Sequence, residues 1–207
     1  VERVLLPVDK EIIVVNDGSS DNTKKILNQL KNRFNFFAVE HQNNQRKGMA
    51  IQTGISYASG DFILIQDADL EYNPEEYPIL LEPLFKGEAK VVYGSRTIRD
   101  NPYSYKIYFL GGKFLNFVFN LLFRTRLTDI STGYKVFEKS VLENSNLKEK
   151  GFSFCEEITC KLVKKGYKIK EVPIHYRPRK FKNGKKIRWW RDGLKGLWAI
   201  LKYRISN

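Results

Sequence analysis

Short apolar runs alternate with helix-forming stretches over residues 1–95, and this alternation limits the folds open to the chain. Residues 11–15, 36–40, 62–66 and 90–93 are predicted strands, and residues 21–31, 47–59 and 74–86 are predicted helices. This β-α-β-α-β-α-β order predicts an α/β fold with a mostly parallel sheet flanked by helices. Ligands bind such sheets at the carboxyl ends of the strands, so we expect chemistry in the loops after Val15 and Gln66.

The loops after these two strands are unusually acidic. Asp67, Asp69 and Glu71 follow the strand over residues 62–66. Like charges crowded at the end of a buried strand lower stability unless a cation joins them, so this loop predicts Mg²⁺ or Mn²⁺ on a nucleotide diphosphate. In the first loop, Asp17 and Asp21 are open to a second interpretation, because Asp also makes turns and caps helices.

Motifs and composition disfavour several classes of protein. Neither acidic loop is a Walker or dinucleotide glycine motif, which argues against a kinase or a dehydrogenase. The 207-residue chain is 42% apolar and 29% charged, which predicts a folded domain. Its best apolar run, residues 114–123, is about half the roughly 18 to 20 residues that span a bilayer. Cys155 and Cys160 predict free thiols in a reducing compartment.

The excess of positive over negative charge lies entirely in the last part of the chain. Residues 161–207 carry 16 Lys and Arg against two acidic residues, whereas residues 1–160 carry 20 against 21. Such a region suits nucleic acid, anionic lipid headgroups or a phosphorylated substrate, and a solvated basic face is the alternative. The basic residues belong to no recognised DNA- or RNA-binding module and the strand ends are acidic, so we predict no nucleic-acid partner.

A series of short motifs along the chain resembles the motifs of a known family. The motifs, in chain order, are Asn16-Asp17-Gly18-Ser19-Ser20-Asp21, Lys47-Gly48, Gly60-Asp61, Asp67-Ala68-Asp69, Gly94-Ser95-Arg96, Leu127-Thr128-Asp129, Gly133-Tyr134-Lys135-Val136-Phe137, Glu157-Ile158, Glu171-Val172-Pro173-Ile174, Tyr176, Arg179, Gly184-Lys185-Lys186 and Trp190-Arg191-Asp192-Gly193. The sequence resembles a family 2 glycosyltransferase with a GT-A fold, and within that group the dolichyl- or polyprenyl-phosphate sugar synthases.

The resemblance implies an inverting transfer of a hexose from a nucleotide-sugar. GDP-mannose is the first expectation for the donor and UDP-glucose the second. The implied donor-binding residues are Asp17, Gly18, Ser19, Asp21, Lys47 and Asp67. The implied catalytic residues are Asp67 and Asp69, and the implied ligands of Mg²⁺ or Mn²⁺ are Asp67, Asp69 and Glu71.

The implied acceptor is a polyprenyl or dolichyl phosphate. Because this acceptor is already an anion, it needs no general base, but it needs cations that align its phosphate. The candidates for that role are Arg96, Lys106, Arg126, Arg179 and Lys186. Arginine binds phosphate oxygens in pairs, although an ion-paired surface role is the alternative for any one of them.

The sequence departs from the family pattern at three places. Arg46 stands where the family often has Gly, and Lys106 or Lys113 stands where it usually has Arg. The family's first strand and its donor-binding turn do not precede residues 1–6, and a chain truly lacking them is expected to lose much donor affinity.

The expected organisation is a GT-A domain over residues 1–186 and an amphipathic helix over residues 187–207. The donor half of the domain is residues 1–95 and the acceptor half is residues 96–186. In the helix the apolar positions are Trp190, Leu194, Leu197, Trp198, Leu201 and Ile205. They predict a helix that lies on an anionic membrane surface, making the protein peripheral at the cytoplasmic face. Packing of this stripe on the domain itself is the alternative, and the apolar residues 103–123 are a second possible lipid contact.

Three other functions stay open from the sequence. A transferase acting on a saccharide hydroxyl needs a general base, for which Asp129 or Glu157 would have to serve. A basic protein that binds nucleic acid or membrane without catalysis is the second. A non-catalytic relative that binds only nucleotide or membrane is the third, suggested by the missing first strand.

Overall fold

The structure is a computed structural model that describes residues 1–103, 105–143, 145–179 and 189–206, without the side chain of Trp189. The strands are β1 (Ile13–Asn16), β2 (Phe37–Glu40), β3 (Phe62–Ile65), β4 (Val91–Ser95), β5 (Lys135–Glu138) and β6 (Ile169–Pro173). The helices are α1 (Thr23–Leu30), α2 (Lys47–Tyr57), α3 (Tyr77–Phe85), α4 (Lys106–Phe123), α5 (Lys139–Glu143), α6 (Phe154–Lys164) and α7 (Trp189–Ile205), and a 3₁₀ turn, Pro74–Glu76, precedes α3. Every strand and helix predicted over residues 1–95 is present.

The sheet is mixed but mostly parallel, which confirms the predicted α/β class. Four strands pair in the order β3-β5-β4-β6, while β1 and β2 form a separate parallel pair. β4 and β6 are parallel, and β5 runs antiparallel to both β3 and β4. Neither β5 nor β6 belongs to the predicted alternation, which ends with β4. The reversed β5 brings the residues that precede it to the edge where β3 and β4 end.

Both faces of the four-stranded sheet are covered. Along β4, Val91 and Tyr93 pack in the cluster that contains α6, whereas Val92 packs in the cluster that contains α3. Successive strand residues point to opposite faces, so this split places helices on both sides of the sheet. Burial on both faces explains why the central strands read as continuous apolar runs in the sequence.

A third apolar cluster fixes α7 to the domain. Ala199, Ile200 and Tyr203 of α7 are buried with Phe119 of α4 and Cys160 of α6. The helix therefore packs through a face other than the predicted apolar stripe.

Both cysteines are free thiols, as predicted. Among the helices described, none has the length and apolar character that crossing a membrane requires.

Candidate active site

The site lies at the edge of the sheet where the main strands end. β3 ends at Ile65 and β4 ends at Ser95, so Asp67 and Arg96 follow at the same edge. Because β5 runs the other way, residues 129–134 return to this edge just before β5 begins. Three connecting segments therefore meet where an α/β sheet binds its ligands.

Asp17 is held by the loop that follows β2. Its Oδ1 accepts hydrogen bonds from the backbone N–H of Gln45 at 2.8 Å, and its Oδ2 accepts one from the N–H of Arg46 at 2.8 Å. His41 Nδ1 lies 2.7 Å from Asp17 Oδ1, and His41 Nε2 lies 2.9 Å from the Thr53 hydroxyl. The carboxylate is thus fixed in orientation before any ligand arrives, with lone pairs left over because a carboxylate accepts about four hydrogen bonds.

The residues after Asp17 shape the turn into α1. Gly18 has φ of 63°, and a Cβ there would lie 2.5 Å from the Asn43 carbonyl carbon, so only glycine fits. Ser19 is exposed beside it. Asp21 Oδ1 accepts a hydrogen bond from the Thr23 N–H at 3.0 Å, which agrees with the turn-making interpretation of this residue. A donor contact by Gly18, Ser19 or Asp21 stays a prediction.

Arg46 explains one departure from the family pattern. Its φ of 78° and ψ of 161° belong to a region that is essentially restricted to glycine. The family's glycine therefore matches the backbone shape that this position adopts. In this chain an arginine takes the same shape, with its N–H bonded to Asp17, immediately before α2 begins at Lys47.

Lys47 and Asp67 form the first ion pair of the site. Lys47 Nζ donates to Asp67 Oδ2 at 2.6 Å, and both side chains are about a fifth to a quarter exposed. Burial opposes the charge of Lys47, but the Asp67 carboxylate holds the pKa of this ammonium above its usual value. A Cβ at Gly133 would lie 2.5 Å from Asp67 Oδ2, so the glycine makes room for the carboxylate.

Asp69 and Arg179 form the second ion pair. Arg179 Nη2 donates to Asp69 Oδ2 at 2.7 Å. Burial raises the pKa of the Asp69 carboxyl, and the charges of Asp67 and Glu71 add to this rise. Leu70 has φ of 62° and its side chain is 89% exposed, although a left-handed backbone is uncommon for a bulky residue. The loop therefore holds negative charge and backbone strain at one place, as active-site loops do.

Glu71 binds the segment over residues 176–179 and shares Arg179 with Asp69, since Arg179 Nε lies 3.5 Å from Glu71 Oε1. Its Oε1 accepts a hydrogen bond from the Arg179 N–H at 2.8 Å, and its Oε2 accepts one from the Tyr176 hydroxyl at 3.1 Å. Among the described residues, no three metal-ligating side chains come together. Each Glu71 oxygen accepts one hydrogen bond from residues 176–179, and a role for Glu71 as a third metal ligand beside Asp67 and Asp69 stays a prediction.

Arg96 is locked in a buried pair with Asp129. Its Nε donates to Asp129 Oδ2 at 2.7 Å, its Nη2 donates to Oδ1 at 2.8 Å, and its backbone N–H donates to Oδ2 at 3.0 Å. Burial opposes ionisation, but Arg96 holds the pKa of the Asp129 carboxyl below its usual value. The guanidinium also lies over the Tyr176 ring, 5.2 Å from its centroid. The pair with Asp129 uses two of the five N–H donors of the guanidinium that we expected to bind the acceptor phosphate.

Comparison with known proteins decides the family. Residues 4–145 match the model of the family described as Glycosyl transferase family 2. The chain belongs to this family.

Two family 2 relatives have names that specify a lipid-phosphate acceptor. A UDP-N-acetylglucosamine–dolichyl-phosphate N-acetylglucosaminyltransferase of Methanococcus voltae is 30% identical over 186 residues, which are 79% of this chain and 73% of that protein. A dolichol-phosphate mannosyltransferase of Pyrococcus furiosus is 28% identical over 182 residues, which are 85% of this chain but only 50% of that protein.

Solved structures confirm the fold. Glucosyl-3-phosphoglycerate synthase from Mycobacterium tuberculosis, in complex with Mn²⁺, UDP-glucose and phosphoglyceric acid, has a TM-score of 0.69 at 17% identity, covering 94% of this chain and 69% of that one. Mannosyl-3-phosphoglycerate synthase from Rubrobacter xylanophilus has a TM-score of 0.68 at 19% identity, covering 95% and 63%. The GT-A prediction for this family 2 chain is confirmed.

The two aspartates fit a divalent cation of the kind bound in the Mycobacterium tuberculosis complex. Mg²⁺ and Mn²⁺ are commonly held by one or two carboxylates together with substrate phosphate oxygens, so a third carboxylate is not required. Asp67 and Asp69 supply hard oxygen ligands, and the pKa of Asp69 is raised by burial and further by the neighbouring carboxylates, whose charge a cation would neutralise. Asp67 and Asp69 therefore fit the metal, and Glu71 as a further ligand stays a prediction.

The remaining phosphate-binding candidates are Lys106, Arg126 and Lys186. Lys106 is exposed at the start of α4, and Arg126 is exposed between α4 and β5. Lys186 lies outside the described residues. Arg96 and Arg179 are both paired with aspartates at this edge, and acceptor contacts by Lys106 and Arg126 stay predictions.

Neither proposed general base is suited to a saccharide acceptor. Asp129 is held by Arg96, which lowers its basicity. The Glu157 side chain is fully buried and accepts hydrogen bonds from the backbone N–H groups of Lys148 and Glu149, at 2.8 and 2.7 Å, and from Lys161. Glu157 therefore shapes the loop before α6 and does not face the site.

Two residues of this family 2 site have no sequence signal of their own. His41 orients Asp17, yet a single histidine after a strand fits no catalytic motif. Glu149 holds a loop against α2 and α7, but its partners are far away in the sequence. Only the folded chain brings these groups to their partners.

Proposed function

We propose that the protein transfers a hexose or an N-acetylhexosamine from a nucleotide-sugar to a polyprenyl or dolichyl phosphate, with inversion at the anomeric carbon. The observation that carries this proposal is the pair of neighbouring aspartates, Asp67 and Asp69, each held by one cation at the ligand-binding edge of the sheet. The names of the family 2 relatives support the donor and acceptor classes. GDP-mannose, UDP-glucose and UDP-N-acetylglucosamine are the donors to test.

The donor would lie over the strand ends. Asp17, fixed by its loop, would bind the base or the ribose, and Asp67 would contact the ribose and the diphosphate. A Mg²⁺ or Mn²⁺ ion held by Asp67 and Asp69 would neutralise charge on the leaving diphosphate. Lys47 is the cation nearest to Asp67, so it would add positive charge beside the same leaving group.

The acceptor phosphate would approach from the side of Arg179. A phosphate monoester is already ionised at neutral pH, so the reaction needs alignment rather than proton removal. The absence of a suitable base among the described carboxylates near this edge agrees with such an acceptor, since Asp129 and Glu157 are both committed to structural contacts. Arg179 is about a third exposed and has donors beyond its bond to Asp69, which suits phosphate binding.

A membrane surface with anionic headgroups would present the lipid. On α7 the exposed apolar residues are Trp190, Leu194, Trp198, Leu201 and Ile205, and on α4 they are Ile107, Phe109, Leu110, Phe114, Phe117 and Leu121. The two helices pack against each other, so the exposed apolar residues lie on neighbouring helices. Together with the basic charge of residues 161–207, this composition favours an interfacial site. Location at the cytoplasmic face stays a prediction.

Incubation with radiolabelled donors tests the proposal. Each nucleotide-sugar is combined with Mn²⁺ and either a short polyprenyl phosphate, the matching neutral polyprenol or 3-phosphoglycerate. Lipid products are extracted into organic solvent, and the aqueous phase is separated by chromatography to detect labelled glycosyl-phosphoglycerate. We expect label in the lipid only with polyprenyl phosphate. Transfer to the neutral alcohol, or to 3-phosphoglycerate alone, would contradict the proposed acceptor.

A further inference from the structure

The segment over residues 148–151 lies against the start of α2, the helix that begins at Lys47. The Met49 N–H donates to the Lys150 carbonyl at 3.2 Å, and Gln52 Nε2 donates to the Glu149 carbonyl at 3.2 Å. A Cβ at Gly48 would lie only 2.3 Å from the same Glu149 oxygen, so backbone meets backbone here. The position of this segment therefore determines where the first turn of α2 lies.

The Glu149 side chain ties the same segment to α7. Glu149 Oε1 accepts hydrogen bonds from Lys202 Nζ at 2.8 Å and from the Tyr203 hydroxyl at 3.1 Å. Burial opposes ionisation, but these two hydrogen bonds help to hold the pKa of Glu149 below its usual value. Its backbone N–H is bonded in turn to Glu157 of α6. The last turns of α7 and the first turn of α2 are thus joined through one residue.

We propose that Glu149 is a positioning residue for the donor site, which holds residues 148–151 between α7 and α2 and so directs Lys47 toward Asp67. The inference rests on the proposed function in one respect, because it takes Lys47 as part of the donor site. Lysine has a long flexible side chain. Its cation strengthens binding most when the backbone that carries the side chain is already fixed in place. Loss of the Glu149 carboxylate would leave the backbone contacts but release the segment from α7.

Matched substitutions on α7 test this coupling. Lys202→Met removes the contact with Glu149, whereas Lys195→Met makes the same change at an exposed position of the same helix. We expect Lys202→Met and Glu149→Gln to raise the donor KM roughly five- to tenfold, at the low end of the usual coupling between sites, with kcat and acceptor KM within about twofold of wild type. Lys195→Met should leave the donor KM unchanged.

A double-mutant cycle separates coupling from general loosening of the fold. If both residues act through one contact, Glu149→Gln combined with Lys202→Met should raise the donor KM no further than either change alone. A purely structural role would instead lower the melting temperature and the active fraction without changing the donor KM. Equal donor KM values for Lys202→Met and Lys195→Met would overturn the inference.

Nucleotide binding distinguishes failure of the inference from failure of the proposed function. Calorimetry with UDP or GDP and Mn²⁺ measures donor-site affinity without turnover. Binding that weakens in Glu149→Gln, in a protein that transfers no sugar to polyprenyl phosphate, would reject the proposed function and keep the inference. Transfer by the wild type with unchanged affinity in Glu149→Gln would reject only the inference, and a wild-type protein that binds neither nucleotide would overturn both.

Discussion

The ligand-binding edge of the sheet contains two kinds of ion pair. Arg96 and Asp129 form a closed pair, with three hydrogen bonds from Arg96 and an Asp129 side chain only 6% exposed. The open pairs are Lys47–Asp67 and Asp69–Arg179. Each open pair has one hydrogen bond between its charged groups, and both aspartates are 22% exposed. A closed pair has its contacts completed within the protein, whereas an open pair has room for a further partner.

The two kinds of pair differ in what their loss should do. Removing one member of the closed pair leaves a charge in a poorly solvated place, which lowers stability. Removing one member of an open pair leaves a charge that water reaches, which costs little stability. If the open pairs bind donor and metal, their loss should instead lower activity.

Asp69→Ala should have the largest effect on activity. Loss of one charge-stabilising group in an active site lowers kcat by about 100- to 1,000-fold. Since Asp69 belongs to an open pair, the melting temperature should stay within about 2 °C of wild type, a shift below 1 kcal/mol in a domain of this size. Steady-state kinetics and thermal unfolding measure the two effects, with Asp9→Ala, at an exposed position, as the control.

Metal removal offers an independent check on the same group. A chelator should abolish wild-type transfer and Mn²⁺ should restore it, while the variant should not respond to Mn²⁺. Near wild-type turnover by a folded Asp69→Ala protein with Mn²⁺ present would show that the open pair does not hold the metal.

Arg96→Met should have the largest effect on stability. It leaves the Asp129 carboxylate, whose side chain is only 6% exposed, without its partner, and breaking a buried pair in this way costs about 3 kcal/mol or more. For a domain of this size that lowers the melting temperature by roughly 6 to 12 °C. Lys47→Met, from an open pair, is the matched comparison and should unfold close to wild type. Equal losses in the two variants, measured by circular dichroism, would remove the distinction between closed and open pairs.

The sequence predicted the two aspartates of the open pairs, but neither their cation partners nor the closed pair. Asp67 and Asp69 follow a strand in an acidic run, so local pattern and strand order were enough to place them. Arg96 meets Asp129 across 33 residues of sequence, through a connection that ends in the antiparallel β5. A short apolar run does not reveal its strand direction, so neither β5 nor this pairing was predicted.

The same limit explains Glu71 and α7. Glu71 has the spacing of a metal ligand, but each of its oxygens also accepts a hydrogen bond from a segment more than a hundred residues later in the chain. On α7 the periodic pattern identified an apolar stripe, yet Ala199, Ile200 and Tyr203 are the residues that are buried. A helix with two apolar faces does not reveal from its sequence which one meets the core.

Lys135 is buried like the closed pair, but its ammonium group has no hydrogen bond to a carboxylate. It is 1% exposed, its Nζ donates to the Ile130 carbonyl at 2.8 Å, and the ammonium lies 3.4 Å from the centroid of the Tyr93 ring. Burial lowers the pKa of Lys135 to about 8. Between about pH 8 and the unfolded pKa of 10.5, the unfolded chain binds a proton that the folded protein has released, so this residue makes stability rise with pH.

Lys135→Met should therefore stabilise the protein at pH 7. The variant avoids burying a charge, and we expect a gain of about 2 kcal/mol, less than the full pKa shift implies because the Tyr93 ring favours the cation. The gain should shrink as the pH rises from 8 to 10.5. Urea unfolding of both proteins across this range measures it, and a difference that does not change with pH would contradict the assigned shift.

The two faces of α7 differ in the same way, because one is covered by the protein and the other is exposed. The inner face is buried against α4 and α6, while Trp190 and Trp198 on the outer face are 55% and 67% exposed. Changing both tryptophans to Ser should leave the melting temperature nearly unchanged. It should weaken binding to anionic vesicles about tenfold or more, because each indole would lose roughly 1 kcal/mol or more of apolar burial in the interface.

Salt and lipid charge separate the apolar part of this binding from the electrostatic part. Each Lys or Arg near an anionic surface contributes about 1 kcal/mol, and salt screens this attraction but not apolar insertion. Wild type should therefore keep some vesicle affinity at high salt, and the double variant should lose nearly all of it there. Leu5→Ser, at a position 90% exposed outside the helix, is the control and should bind as wild type does. If the double variant instead loses several degrees of melting temperature while its folded fraction binds vesicles normally, the stripe contacts the protein itself, and membrane binding through α7 must be given up.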